Sequence, residues 1–518
     1  MTADSVRAAL EELKEPLVEA VINAYMRKKL SADVDNFYFD PSEEGGSCEA
    51  GEFRYKLPRA FADKGVYCYY PSGVWKIDHN IASDVTTSAG DKNIEGEHVS
   101  LPDLVPIWDE IRTEIHSWID PWMDAVDPDD FSDQVASVVL IAQQLHIGES
   151  TTTTQSSPDG TARTLSAVTD IQSAVDDSKS DLTLMSGGAV RSLQLSYTND
   201  VGRTISGQQN LAAVAALALA AEVMAWTECY TTLTEFLKAA TADFNSFANA
   251  TDGSGPSFTP VALSALSGAA TVVAGTAVFP PAAAAAAVVA GIATVAVAFW
   301  PNDSYAASKD VRVVLEGGDY TALLGSFMSN VREIEDDVFR AEYAIGRMCR
   351  SAVEDMYEKP DNYSIARRLR SGERQPNDPL QSFLDADVDL VVKPRLMRDI
   401  AGRIETISRH QRGLASRLSG DASALASAHW SRPALHGDTI GYGTTGAFDQ
   451  YADLVNQLVD LLVDEARTSH RVAVQCLDLA TDFEQTDLGA KEELAKINRG
   501  LTHLHQQFNT VDDSSWKG

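Results

Sequence analysis

Basic residues are scarce in this chain: 42 Lys and Arg stand against 75 Asp and Glu, leaving a formal net charge of −33 over 518 residues. A surface without cationic surplus cannot displace phosphate counterions, so nucleic acid is excluded as a main partner. Docking on anionic lipid through a basic patch is excluded for the same reason. The acidic balance instead suits a very soluble chain in a secreted or cell-envelope setting. Cysteine is scarce too, with five residues and no C-x-x-C pair. Cys229, Cys349 and Cys476 lie among the apolar residues of helical segments and read as core. Cys48 and Cys68 flank an aromatic segment, where a disulfide and two free thiols both fit.

Catalytic and ligand-binding signatures are missing as well. The ten His residues form no H-E-x-x-H and no zinc-spaced set with Cys, and His503-Leu504-His505 is too short to count. There is no G-x-S-x-G and no G-x-x-x-x-G-K. Gly441, Gly443 and Gly446 fit G-x-G-x-x-G by letter, but no strand precedes them, so a glycine-rich turn opening a helix is expected. Acidic pairs such as Glu335-Asp336-Asp337 are expected on the solvent faces of helices. The expectation is therefore a protein that is not an enzyme, with no cofactor and no metal. Its opening, M-T-A-D-S-V-R-A-A-L-E-E-L-K-E, is an amphipathic helix without a basic stretch before an apolar run. Export, if it occurs, is expected without a cleavable signal peptide.

The longest absence is of charge itself. No Asp, Glu, Lys or Arg falls between Asp252 and Asp303. Within that stretch Val261–Phe279 and Ala282–Trp300 are apolar runs of 19 residues each, joined by Pro280-Pro281. Each approaches the roughly 20 residues a membrane span requires. Gly268, Gly275 and Gly291 would let two such helices approach closely. Trp300 would sit at the lipid interface. The candidate insertion residues are Val261, Val272, Val273, Phe279, Pro280, Pro281, Val288, Val289, Ile292, Val295, Phe299 and Trp300. An Ala-rich hairpin is only moderately hydrophobic, so the driest part of a soluble core is the competing reading.

What surrounds this stretch is helical. Leu219, Val223, Trp226, Tyr230, Leu233, Leu237, Ala240, Phe244 and Phe247 repeat in steps of four and three. Tyr320, Leu324, Phe327, Val331, Ile334, Val338, Ala341, Ile345, Met348 and Ala352 do the same beyond it. Such spacing makes a narrow seam that packs on a partner helix. The order of seam, charge-free insert and seam predicts an antiparallel stalk with residues 253–302 at its tip. N-terminal to it, residues 1–150 carry helices at 5–30 and at Leu104–Trp122, around a segment, 36–99, whose aromatics have no helical period. Short strands are expected there. The run Gly148–Gly160 reads as a linker, followed by a helix from about Ala162 to Leu184. A boundary is expected at 358–380, and then a helical hairpin over 380–510. Its first helix is lined by Leu396, Ile400, Ile404, Ile407, Leu414 and Leu418. Its second is lined by Ala447, Tyr451, Leu454, Leu458, Leu462, Val472, Cys476 and Phe483.

The C-terminal pattern resembles the helical-hairpin proteins secreted by, or associated with, the actinobacterial type VII (ESX) system. The turn bearing Trp430 and Gly446 resembles the family's Trp- and Gly-rich turn. Phe483 and Asp487 stand where the family carries Y-x-x-x-[DE] after its second helix, with Phe in place of Tyr. The order of long helices around an apolar hairpin is similar to α-helical pore-forming toxins of the haemolysin BL and cytolysin A type. These resemblances imply leaderless export, secretion-system partner helices, self-association into a homo-oligomer and conditional contact with membrane lipid. The expected fold is mainly α: a long antiparallel helical bundle or stalk with a central hydrophobic hairpin and a small aromatic-rich, β-containing insertion near the N-terminus. The rival expectation is a structural or substrate-chaperoning component of the secretion system, with the hairpin as permanent core.

Overall fold

The computed structural model describes residues 3–29, 33–35, 53–56, 67–69, 75–77, 91–94, 97–100, 105–145, 152–156, 162–166, 170–250, 258–273, 312–365, 392–420, 427–431, 435 and 443–511. Over these residues the protein is mainly α-helical.

Helix α1 (Ala3–Lys29) buries Leu10, Leu17, Val18, Val21 and Ile22 along one stripe. After it come β1 (Asp33–Asp35), β2 (Phe53–Lys56), β3 (Tyr67–Tyr69) and β4 (Trp75–Ile77), an antiparallel sheet in sequence order. Its register aligns Phe53, Tyr69 and Trp75 across three strands, and Tyr55, Tyr67 and Ile77 in a neighbouring row. A two-strand pair, β5 (Asp91–Ile94) and β6 (Glu97–Ser100), completes this segment.

Helix α2 (Val105–Met123) places Trp108, Ile111, Ile115, Trp118 and Trp122 on one buried face. A 3-10 turn (Pro128–Phe131) leads into α3 (Ser132–Gln144). Where the sequence suggested a linker and then a helix from Ala162, the chain forms a hairpin of β7 (Thr152–Ser156) and β8 (Ala162–Ser166). The β-branched threonines of this run favour extended backbone. Helix α4 starts only at Asp170 and ends at Leu182.

The molecule is organised around α6 (Asn199–Asn249), reached from α5 (Gly188–Leu193) through one π-helical turn at Gln194–Thr198. From Leu211 to Val223 every residue of α6 is buried. A helix apolar on all sides belongs in the middle of a bundle. Along α6 run α1, α3 and three further helices, α7 (Ala265–Val273), α8 (Tyr320–Glu358) and α10 (Phe448–Val511). Helices α6 and α8 are antiparallel. Phe236 stacks on Phe327 at 5.7 Å, and the Cys229 thiol points to the Ile334 carbonyl at 3.8 Å. This is the pairing the two seams predict, but the pair is walled by other helices instead of standing free as a stalk. The α6 seam is buried throughout, whereas on α8 the buried face passes from Tyr320 to Leu323, with Leu324 only half-buried.

The C-terminal hairpin joins α9 (Pro394–Gly420) to α10, also antiparallel. Arg398 pairs with Glu484 at 2.5 Å near one end, and the Ser408 hydroxyl donates to the Ala466 carbonyl at 2.7 Å farther along. Buried hydrogen bonds tie this hairpin to the body: Tyr197 to Ser469 and Ser364 to the Glu465 carboxylate, both at 2.7 Å. One hydrophobic cluster runs from Val6 to Ala480 through all these helices.

Candidate functional site: the root of the charge-free insert

The described part of the charge-free insert is its first arm. The chain leaves α6, forms β9 (Val261–Ala262) and then α7. It returns through β10 (Arg312–Val313), which pairs antiparallel with β9 in the register Val261↔Val313 and Ala262↔Arg312. A strand within the insert and one some ten residues beyond it are therefore paired before α8 begins.

The arm lies against α6 and α8, burying Val261, Leu263, Ala265, Leu266, Ala269, Ala270 and Val272. Gly268 makes the approach to α6 possible, because a β-carbon there would come within 2.7 Å of Glu228 Cγ and 3.1 Å of Met224 Cγ. Side chains of the two long helices hold the arm by its backbone. Asp337 on α8 accepts from the N–H groups of Ala265 and Leu266, at 2.8 and 3.4 Å, and so caps the N-terminus of α7 from another helix. Asp243 on α6 accepts from the Thr259 N–H at 3.1 Å and from its hydroxyl at 3.4 Å. Between these, the Ser264 hydroxyl donates to the Glu228 carbonyl at 3.2 Å, leaving Thr232 to donate to Ser264 at 2.7 Å.

Both carboxylates are buried, Asp243 at 2% and Asp337 at 6% exposure. Burial pushes each above the ordinary carboxyl value, and the backbone N–H bonds each accepts offset only part of that. Glu335 and Asp337, expected on a solvent face, are thus in the interior, as are Glu222 and Glu342. Of the Glu335-Asp336-Asp337 run only Asp336 lies outside the fully buried set. These acids flank the seams, where a third helix covers the sides of the α6–α8 pair. A helical pattern read for two-helix packing assigns such flanks to solvent.

Of the residues singled out for membrane insertion, Val261 and Val272 are buried in the arm and Val273 ends α7. Val261 is in a strand, and the helix starts at Ala265, so the first arm is not one continuous helix from Val261 in this state. Phe279, Pro280, Pro281, Val288, Val289, Ile292, Val295, Phe299 and Trp300 lie outside the described residues. Asp243, Asp337, Thr232 and Ser264 carry no sequence signal beyond their positions beside apolar repeats.

The residues of the export-like motif are in two places. Trp430 ends a 3-10 turn (Ser427–Trp430) and is buried against Phe131 at 5.3 Å and Tyr451 at 5.4 Å. Gly446 adopts φ +52° facing Glu342 on α8, a conformation and an approach that favour glycine. Phe483 is half-buried on α10, and Asp487 follows one turn later on the same helix. Because α10 continues to Val511, this pair lies inside the helix and not after it. At about 1.5 Å per residue, some ~48 Å of helix separate Phe483 from Tyr451 beside Trp430.

Helix α6 is long and apolar enough to cross a membrane, but 83% of its most apolar window is buried inside the protein, as in a soluble core helix. Among the described residues no group of three or more His, Cys, Asp or Glu is placed to hold a metal ion. These features define a class: a mainly α-helical protein with a charge-free insert rooted between two antiparallel long helices. Comparison with protein-family models, curated proteins and solved structures finds no match to this chain.

Proposed function

We propose that this is a membrane-active helical protein, exported through a type VII-like system without a cleaved leader, that inserts its charge-free segment into lipid on self-association. The observation that carries the reading is the root geometry. The charge-free stretch 253–302 contains β9, which pairs with β10 beyond the stretch, and its described arm, Val261–Val273, is seated on the two long helices. The hinge of any movement of this segment is thereby fixed while the body stays folded. The second apolar run, Ala282–Trp300, retains 19 uncharged residues beyond the docked arm. Moving an apolar surface from protein to lipid is near neutral in free energy, so contacts between copies of the chain must drive it. With a net charge of −33, the favoured surface is zwitterionic. The test is dye release from phosphatidylcholine vesicles. Wild type is expected to cause release, and Val289→Asp with Val295→Asp is expected to abolish it while leaving the melting temperature unchanged. Absence of release by wild type, with the two substitutions unfolding the soluble protein, overturns the reading.

A second reading is favoured by one specific observation, the close packing of α7, where Ala265 and Ala269 are fully buried. In that reading the insert is permanent core of a structural or substrate-chaperoning component of an export system. It predicts no release from vesicles of any composition.

A further inference from the structure

We infer that β9 and α7 form a latched arm that opens as a unit in the otherwise folded protein, with Asp243 and Asp337 as the positioning residues of the latch. Three independent features lead here. The first is how the arm is held. Three of its polar bonds to the body run from its own backbone to side chains of α6 and α8, at Thr259, Ala265 and Leu266, with Ser264 adding a hydroxyl bond to the Glu228 carbonyl. Helices α6 and α8, by contrast, are held to each other by large side chains such as Phe236, Phe244 and Phe327. The second is what the arm buries. Of the six residues of α7 described as buried, three are alanines, each contributing a single methyl to the interface, and one is Gly268. Removing this arm therefore exposes much less apolar surface per residue than removing α8.

The third is what the arm covers. Two carboxylates sit beneath it, and a buried carboxylate loses hydration that its hydrogen bonds only partly replace. When the arm lifts, Asp243 and Asp337 regain water. That gain offsets part of the cost of exposing the alanine face, and so lowers the free energy of opening below that of the surrounding helices. An arm meant only as core would be better served by apolar residues at these two positions. Gly268 adds a registration point, since its close approach to Met224 and Glu228 allows one seating.

This latch belongs to the folded chain in water and stands whether or not the insert enters lipid, so it is tested without vesicles. The experiment is peptide-resolved native-state hydrogen exchange on the full chain, comparing Ala265–Val273 with the Leu233–Phe247 part of α6 and the Val331–Ile345 part of α8. In wild type the α7 amides are expected to exchange together and at least about tenfold faster than those of either long helix. Asp337→Ala is expected to speed α7 a further tenfold or so and leave α6 and α8 unchanged. Asp337→Asn, which keeps the shape and an accepting oxygen, is expected to fall between the two and serves if the alanine variant does not fold. Exchange of α7 in step with α6 and α8 in wild type overturns the inference. Equal acceleration of all three helices in the variants overturns it too, because Asp337 would then support the whole fold and not a latch.

Discussion

Gly207 lies where α6 passes the Pro360–Asn362 turn so closely that a β-carbon would overlap the Asn362 carbonyl oxygen. Helix propensity alone favours alanine there by about 1 kcal/mol. The backbone clash decides the sign, and Gly207→Ala is expected to destabilise by about 2 kcal/mol, read as a lower denaturant midpoint at unchanged slope. At Asp243 and Asp337 the prediction concerns pH. Burial raises both carboxyls above the ordinary value of 3.8; Arg340 pulls Asp337 down, Glu333 pushes it up, and neither reverses the direction. A raised folded-state value means that the folded chain holds the proton more tightly than the unfolded chain. The associated stability is complete below the unfolded value and is lost as pH rises through the folded one. Mild acid therefore tightens the root. The double variant Asp243→Asn with Asp337→Asn is expected to gain less in melting temperature than wild type between pH 7 and pH 5. Asp355 works the other way. Its own burial is outweighed by hydrogen bonds from Lys359 and Tyr363, which lower its carboxyl, so the stability it contributes is lost only as pH falls below about 4.

At the scale of elements, the paired seams are the part of the fold most legible in the sequence. Nine positions from Leu219 to Phe247 fall in the interior because a strict four-three repeat keeps one stripe against a partner. The repeat fails at the first turn of α8, where a three-residue step from Tyr320 reaches Leu323 and buries it, leaving Leu324 half-exposed. Leu323→Ala is accordingly expected to cost about 2–5 kcal/mol, and Leu324→Ala under about 1 kcal/mol, by chemical denaturation. Phe327, stacked on Phe236 and edge-on to Phe244 at 6.4 Å, is expected to cost about 3–5 kcal/mol as alanine. The acids of the root were not legible. Asp337 lies three residues from Ile334 and one from Val338, a flank that is solvent in a two-helix stalk and interior once α7 is laid across it. The β7–β8 hairpin escaped for a different reason: a run of threonines is polar enough to resemble a linker, and only its β-branching points to a strand. Trp430 was read as part of a turn, but its burial against Phe131 depends on a contact some three hundred residues away in sequence, which no local pattern encodes.

On the scale of the whole molecule, one continuous core and a net charge of −33 describe a body built to stay folded and dispersed. Against that body the charge-free insert is the exception, and its described arm is rooted on α6 and α8. If the proposed insertion is driven by self-association, membrane activity is expected to rise more steeply than linearly with protein concentration. Flotation with phosphatidylcholine vesicles tests the central claim most directly. Wild type is expected to rise with the lipid. The variant carrying Val289→Asp and Val295→Asp is expected to remain at the bottom of the gradient while unfolding at the wild-type temperature. If wild type stays at the bottom, or if both proteins float alike, the insert is not what meets the membrane and the account is contradicted.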